Sequence, residues 1–475
     1  MFTTDGLWSS LRKMNVIRNF TPSARLLKNL HTPFPRQTCQ LNLCLPKLSY
    51  WRPFLRKNSV WNGPKNFLKT SAKPIGMKND LEIDHDGSQV LIQWNESELS
   101  KYHSIWLRCN CQCDKCIQAH SGQKLIDVMS IPEKPTLCSA VIQPDGNSVH
   151  LQWFEEPDHV GVVTLDWLKK NCYSQQARSN RADMCEYKFL KGDIDYFDYE
   201  QVSSCKKTFL RYLKYLNEYG VCIIDRIPTE NDEHKVIEIA ERLGPIQSTL
   251  YGSQRFDVKT EERPINIAYS SMGIEYHMDL AYYESAPGIQ LLHCVRFDDK
   301  VVGGESFFLD IFYVVEELRN RFPVEFETLC TVPATFQKIH FKRENPAAFQ
   351  YQRPHINVHP VTRHITAVTW SPPFEGILHV REEDVEPYYR AYRRLAQLLK
   401  YSDAKKELRL KRGQCAVFNN RRIVHGRKAF ELNGGQRHMK GCYVNIDDFK
   451  STVQVEHLKQ GTGELARRVG NQCLF

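Results

Sequence analysis

The chain of 475 residues lacks any apolar run near the ~18 residues that a membrane-spanning helix needs, so no span is expected. Acidic residues are almost missing from its first 79 positions, where 14 Lys and Arg stand against Asp5 alone. That stretch carries +13 while the whole chain carries +9, which leaves about −4 for the rest. A uniformly basic chain would point to nucleic acid; a basic head on a mildly acidic body does not. The head also lacks the continuous apolar centre of a secretory signal. Apolar and charged fractions of 41% and 25% are those of an ordinary globular protein, and the length suits two or three domains.

What is present in the head has a pattern. In "LWSSLRKMNVIRNF", Leu7, Leu11, Met14 and Ile17 lie near one helical face, with Arg12, Lys13 and Arg18 elsewhere. An Arg-rich, Ser-containing, acid-poor and amphipathic start is the mitochondrial transit pattern. A disordered basic tail is the plainer alternative. The Pro, Lys and Asn up to residue 79 predict a poorly structured linker. The compartment expected is therefore mitochondrial, with cytoplasmic as the alternative.

Sixteen cysteines would suggest disulfides in a secreted chain. Most here are isolated among apolar neighbours, as Cys222, Cys294 and Cys330 are, and read as free thiols. One group differs. "WLRCNCQCDKC" crowds Cys109, Cys111, Cys113 and Cys116 together. Thiolates suit zinc, which takes four tetrahedral ligands, and Cys113-x-x-Cys116 allows two of them to reach one ion from a tight turn. A fourth ligand could come from the cluster or from His120, His150 or His159. No second CxxC accompanies it, which favours a structural staple over a nucleic-acid finger. The competing reading is a redox dithiol or simply several free thiols. The alternating segments "SQVLIQW" and "SVHLQWF" predict half-buried strands around the cluster, and "TLDWLKKNCYSQQAR" a helix.

Beyond "GDIDYFDYEQV" a helix runs into a strand in "CKKTFLRYLKYLNEYGVCII", and "ENDEHKVIEIAERLG" predicts a second helix stopped by Gly244. Short strands follow in "GIQLLHCV", "GESFFLD", "HITAVTW", "GQCAVFN" and "KGCYVNI", with helices near 313–322 and 383–400. The expected fold class is mainly β (α+β), a barrel or jelly roll with helices outside. The expected domains are a leader and linker over 1–79, a small zinc-binding β-rich domain over 80–182, a catalytic domain over 190–455 and a tail over 456–475.

Within this region "EYHMDLAYY" sets His277 two residues before Asp279. In an extended segment both side chains fall on one side. Non-haem Fe(II) oxygenases use two histidines and one carboxylate on one face of the metal, so a distant histidine is required. "FNNRRIVHGRKAF" supplies His425, followed by Gly426, which leaves space beside it. A 2-oxoglutarate cosubstrate needs a cation for its far carboxylate, and Arg437 opens the next strand, which a hairpin would bring back beside the iron. Each residue alone has a bland reading: a surface His-x-Asp, a hydrogen-bonded core histidine, a solvated arginine. The ordered set is more specific than its parts.

The chain resembles the gamma-butyrobetaine dioxygenase and trimethyllysine dioxygenase family, related to taurine dioxygenase. The likeness spans roughly residues 81–455 and rests on "WLRCNCQCDKC", "DWLKKNCYSQQAR", "YGVCIID", "TLYG", "NIAY", "HMD", "PGIQLLHC", "GGESFFLD", "NNRRIVHGR" and "RHMKGCY". It implies a double-stranded β-helix core, a zinc-bearing N-terminal domain, and hydroxylation with Fe(II), 2-oxoglutarate, dioxygen and ascorbate. By motif, iron falls to His277, Asp279 and His425, the cosubstrate to Arg437, and zinc to Cys111, Cys113, Cys116 and His159 of "FEEPDHV". Cys109 stands where the family has aspartate. The substrate region maps to Tyr251, Phe256, Asn266, Tyr269 and Tyr443, an aromatic set able to hold a quaternary ammonium by cation–π contact. The resemblance implies conversion of gamma-butyrobetaine to carnitine, with trimethyllysine or another small metabolite as the alternative, and it suggests a homodimer.

Three departures touch the substrate end. Leu280 replaces a tyrosine after Asp279, "WSPP" (Trp370 to Pro373) replaces an Asn-Asn pair, and Arg421 replaces a tryptophan before the distal histidine.

Overall fold

The first layer is built by alternation. "QVLIQWN" buries Val90, Ile92 and Trp94, every second residue, as a strand with one wet face does. It forms the centre of an antiparallel sheet of β1 (Asp80–Ile83), β2 (Gln89–Asn95) and β3 (Glu98–His103). Helix α1 (Ser104–Cys109) then leads into the cysteine cluster. A second antiparallel sheet has the order β4 (Leu137–Ile142), β5 (Ser148–Trp153), β6 (Glu156–Thr164). Ile92, Tyr102, Leu151 and Trp153 share one core between these strands. The helix expected over "TLDWLKKNCYSQQAR" is two helices, α2 (Leu165–Lys170) and α3 (Gln175–Asp183). The break has a local cause: the Asn171 side chain donates to the Trp167 carbonyl at 2.8 Å, and Ser174 Oγ accepts the Ala177 amide to start the second helix.

The computed structural model describes residues 80–473 except 184–187, 191, 231–233, 262–263 and 265. The leader and linker expected over 1–79 lie outside the described residues. Among the described residues the cysteines from Cys109 to Cys442 are free thiols, and no helix is long and apolar enough to cross a membrane.

The larger part begins with β7 (Tyr196–Asp198), α4 (Tyr199–Ser204), α5 (Lys206–Tyr219) and β8 (Val221–Asp225). Gly220, at φ 79°, ends α5 in the left-handed conformation and turns the chain into β8. Then come α6 (Lys235–Glu241), β9 (Phe256–Lys259), β10 (Ile274–His277), β11 (Ile289–Phe297), β12 (Val302–Gly303) and β13 (Ser306–Asp310). Helices α7 (Ile311–Arg321) and α8 (Pro323–Thr331) precede β14 (Pro333–His340), β15 (Ala347–Pro354), β16 (Ile356–Val358) and β17 (Ile365–Val368). Next come α9 (Glu382–Tyr401), β18 (Lys406–Leu408), β19 (Cys415–Asn419), β20 (Ile423–Arg427), β21 (Phe430–Glu431), β22 (Arg437–Val444) and α10 (Ile446–Gln460), followed by a small hairpin of β23 (Arg468–Val469) and β24 (Gln472–Cys473).

Two sheets position the site. One has six strands in the order β7-β8-β19-β11-β22-β9; the other has four in the order β10-β20-β13-β18. The period of two sorts their residues. Ala416 and Phe418 of β19 share a core with Phe308 of β13 and Ile423 of β20, with the Phe308 and Phe418 rings 5.3 Å apart. Cys415 and Val417 of the same strand pack instead with Leu213 and Leu216 of α5 and Phe449 of α10. The six-stranded sheet is thus covered on both faces, which is why its central strands read as apolar runs. Helix α10 continues past residue 455 to Gln460, and Val453 lies in the same core as Val469, so the segment after 455 is packed against the sheet's helices.

Candidate functional site

The turn Asn419-Asn420 carries the chain from β19 in one sheet to β20 in the other. There β20 pairs antiparallel with β10, and the register sets His277 directly opposite His425. Their rings lie 4.3 Å apart between centroids. Strand β10 stops at His277, so Asp279 sits in the following turn rather than in a strand, and Leu280 takes φ 56°. The two-residue spacing still brings Asp279 Oδ1 within 3.5 Å of His277 Nε2. Ligand atoms of His277, Asp279 and His425 all lie within 4.8 Å of one another.

This short turn is clasped from several sides. The Met278 amide donates to the Trp370 carbonyl and the Met278 carbonyl accepts from Ser371 Oγ, both at 2.8 Å. The Asp279 amide donates to Asn420 Oδ1, and Asn420 Nδ2 donates to the Asp279 carbonyl, both at 2.9 Å. His277 Nδ1 lies 2.9 Å from the Glu275 carbonyl. A carbonyl only accepts, so Nδ1 carries the proton and Nε2 keeps its lone pair for a metal. Asp279 Oδ2 accepts from Gln290 Nε2 at 2.6 Å and from Tyr443 Oη at 2.7 Å. Burial works to raise Asp279, but the His277 and His425 imidazoles beside it and the hydrogen bond from the Tyr443 hydroxyl hold it well below the usual carboxylate range. Burial, helped by His277, pushes His425 down to about 3. At neutral pH the set therefore offers a carboxylate and a neutral imidazole, the forms that bind metals.

Arg437 opens β22, as expected, but not through a hairpin with β20. Strand β22 pairs with β11 and β9, so Arg437 approaches from the sheet opposite His425. The chain crosses there by the Asn433-Gly434 turn, both residues at positive φ. Arg437 is 6% exposed and lies between the Phe297 and Phe430 rings, 5.3 and 5.4 Å from their centroids. Burial lowers it to about 10, which leaves it a cation at neutral pH. Among the described residues no acid pairs with it. A buried, unpaired cation is costly and calls for an anion.

Tyr251, Phe256, Asn266, Tyr269 and Tyr443 line one pocket with His277, Asp279, His425 and Arg437. Phe256 and Tyr443 stack at 5.0 Å, and Tyr251 lies 6.1 Å from Phe256. Asn266 Nδ2 donates to Tyr251 Oη at 2.8 Å, while its Oδ1 caps the turn Ile267–Tyr269. Arg427 fastens this loop by donating to the carbonyls of Ala268, Ser270 and Met272 at 2.7–3.0 Å. Of the departures, Leu280 is buried in the core, Arg421 binds the Ala286 carbonyl, and Pro373 lines the pocket while Trp370 and Ser371 hold Met278.

Gln290, Ser306 and Asn420 were not anticipated. Gln290 and Ser306 line the pocket. A polar residue inside the apolar run "GIQLLHCV" was the available signal for Gln290; for Asn420 the sequence shows only a turn.

A second cluster lies in the N-terminal sheets. Ligand atoms of Cys111, Cys113, Cys116 and His159 are all within 4.8 Å of one another. His159 Nε2 is 4.0 Å from Cys113 Sγ and 3.7 Å from Cys116 Sγ. Donors on a tetrahedron of ~2.0–2.3 Å radius stand about 3.5–3.8 Å apart, so the set fits zinc. His159 comes from β6 and the cysteines from the loop after α1, which Gln112 ties to β6 by donating to the Val162 carbonyl at 2.9 Å. His120 and His150 are not in the cluster, and neither is Cys109. Arg108 donates to Cys116 Sγ at 3.6 Å and is itself held by Glu156 at 2.6 and 2.8 Å.

Comparison with known proteins agrees with this layout. The taurine catabolism dioxygenase TauD, TfdA family matches residues 186–443, and the gamma-butyrobetaine hydroxylase-like N-terminal family matches residues 81–169. A gamma-butyrobetaine dioxygenase from a Pseudomonas strain is 28% identical over 78% of this chain and 94% of its own. The human gamma-butyrobetaine dioxygenase is 26% identical over 78% of this chain and 95% of its own. The mitochondrial trimethyllysine dioxygenase of Bos taurus is 26% identical over 76% of this chain and 83% of its own.

Proposed function

The chain belongs to the taurine catabolism dioxygenase TauD, TfdA family, and from that premise we propose that it hydroxylates a small trimethylammonium acid, converting gamma-butyrobetaine to L-carnitine. The observation that carries this reading is the meeting of His277, Asp279 and His425 with a buried Arg437, unpaired with any acid among the described residues, in one aromatic-walled pocket. The two sheets are read as a double-stranded β-helix core, and residues 80–182 as a zinc-stapled domain beside it.

In this reading Fe(II) is held by His277 Nε2, by Asp279 and by His425, and Arg437 pairs with the far carboxylate of 2-oxoglutarate. When bound, iron supplies the oxygen activation that couples oxidation of 2-oxoglutarate, to succinate and carbon dioxide, with hydroxylation of a substrate C–H bond. The protein's share is geometry. Glu275 fixes the His277 tautomer, and Asn420, Trp370 and Ser371 hold the backbone between the two adjacent ligands. Tyr251, Phe256, Tyr269 and Tyr443 supply the ring faces that attract a quaternary ammonium, which has no N–H to donate. Ascorbate serves as the reductant that keeps the iron ferrous. The basic head is read as a mitochondrial leader, with a cytoplasmic enzyme as the alternative, and the active form as a homodimer.

Trimethyllysine is the second reading. Pro373 lines the pocket where the resembled family has an amide side chain, and proline cannot replace its hydrogen bonds. Succinate formation by the purified full chain with Fe(II), ascorbate and 2-oxoglutarate separates the two. Turnover coupled to gamma-butyrobetaine supports the first reading, and turnover coupled only to trimethyllysine supports the second. Slow decarboxylation that ignores both rejects both substrates.

A further inference from the structure

Gln290 sits where packing alone would ask for leucine. Its neighbours Ile289, Leu291 and Leu292 are apolar, and it is 1% exposed in the middle of the six-stranded sheet. On the adjacent strand the residue paired with it in register is Tyr443, 2% exposed. Both side chains reach the same atom: Gln290 Nε2 and Tyr443 Oη lie 2.6 and 2.7 Å from Asp279 Oδ2. Asp279 Oδ1 is the oxygen that faces His277 Nε2, at 3.5 Å. A carboxylate only accepts hydrogen bonds, so the glutamine must present its NH2 group there. Its Oε1 is then left buried, with no hydrogen-bond partner among the described residues. A buried polar atom without a partner is costly, so the grip on Asp279 is held against a penalty.

We propose that Gln290 and Tyr443 are paired positioning residues that reserve Asp279 Oδ2 and leave Oδ1 as the single oxygen offered to the metal. The inference rests on the reading that Asp279 is a metal ligand. It has a chemical consequence. A carboxylate free at both oxygens can close on a metal with two bonds, which would occupy a position that cosubstrate or dioxygen needs. With Oδ2 committed to two charge-assisted hydrogen bonds, that mode is disfavoured. Tyr443 then has two separate jobs on one side chain: its ring belongs to the pocket wall and its hydroxyl to Asp279.

The test uses full-length protein with zinc already filling the cysteine cluster, and Co(II), which is stable in air and whose visible spectrum reports coordination number. Gln290→Met keeps length without a donor, and Tyr443→Phe keeps the ring without the hydroxyl. Calorimetric titration should show each single variant binding Co(II) roughly tenfold more weakly, and the double variant roughly a hundredfold, as loss of outer-shell partners does elsewhere. The Co(II) absorption should weaken in the double variant as Oδ2 also coordinates. Unchanged affinity and spectrum in both single variants, with binding lost in Asp279→Ala, would overturn this proposal and leave the metal site standing. Full Co(II) binding by Asp279→Ala would overturn the metal-site reading and this proposal with it. If Gln290→Met does not fold, Tyr443→Phe decides alone.

Discussion

Gly426, the residue after His425, should be the least replaceable glycine of the site. A Cβ built there would lie 2.2 and 2.4 Å from Phe307 Cε2 and Cζ, and 2.6 Å from the Ile274 carbonyl oxygen. Carbon atoms pack at about 3.5–4.0 Å, so something must move by more than ~1 Å. Phe307 has little freedom, because it is buried and stands edge-on to Tyr276 with centroids 4.9 Å apart. The Ile274 oxygen belongs to β10, which ends at His277, so relief in that direction parts β10 from β20 and the two histidines with them. Overpacking of this kind costs about 1–3 kcal/mol, and a clash with backbone as well as ring places Gly426→Ala near the top, at roughly 3 kcal/mol. At ~2–4 °C per kcal/mol, thermal melting of the metal-free variant should fall by roughly 6–12 °C. Co(II) titration should show weakened binding in the same variant. Melting within a degree of wild type together with unchanged Co(II) affinity would refute the view that this glycine sets the spacing of the ligand strands.

Other expectations follow from the same geometry. Arg437→Gln should raise the 2-oxoglutarate KM at least tenfold with a much smaller effect on the substrate KM; the reverse split would remove Arg437 from the cosubstrate site. Cys113→Ala should abolish bound zinc, measured by elemental analysis, and lower the melting temperature while Co(II) still binds the histidine–carboxylate set in titration; a full zinc complement would show the cluster misassigned. His355 is fully buried, with Nδ1 2.7 Å from the Thr369 carbonyl and Nε2 2.9 Å from Tyr388 Oη, and burial pushes it down to about 4. An unfolded histidine takes its proton near pH ~6.5, so this group's share of stability is whole above that pH and is lost as pH falls toward 4, up to about 3 kcal/mol. Glu375, pushed up to about 7 by burial, works in the opposite sense between its unfolded and folded values. Urea unfolding from pH 7 to 4 should therefore be less acid-sensitive in His355→Phe than in wild type, and equal slopes would refute the assignment.

Much of the architecture is legible because local rules report it. The alternation of "QVLIQWN", the apolar run of β19 and the glycine after α5 each depend on neighbours along the chain, and each forms the element its pattern calls for. Where a side chain competes with the backbone, as Asn171 does between α2 and α3, the periodic reading runs on past the break. The candidate ligands are legible for a different reason: metal chemistry restricts which residue types at which spacing are useful, so His277, Asp279, His425 and the cysteine cluster stand out. Ser306 and Asn420 do not, because nothing in their residue type announces a contact with a partner far along the chain, and Gln290 is marked only as a polar residue within an apolar run.

The sequence by itself determined the elements, the ligand types and the order in which they occur. Tertiary structure alone decided that Arg437 approaches from the sheet opposite His425, that His159 rather than His120 or His150 joins the cysteines, and that Gln290 and Tyr443 both hold Asp279 Oδ2. Strand register and the crossing between sheets set those distances, and both arise from the packing of whole strands, which no local pattern encodes.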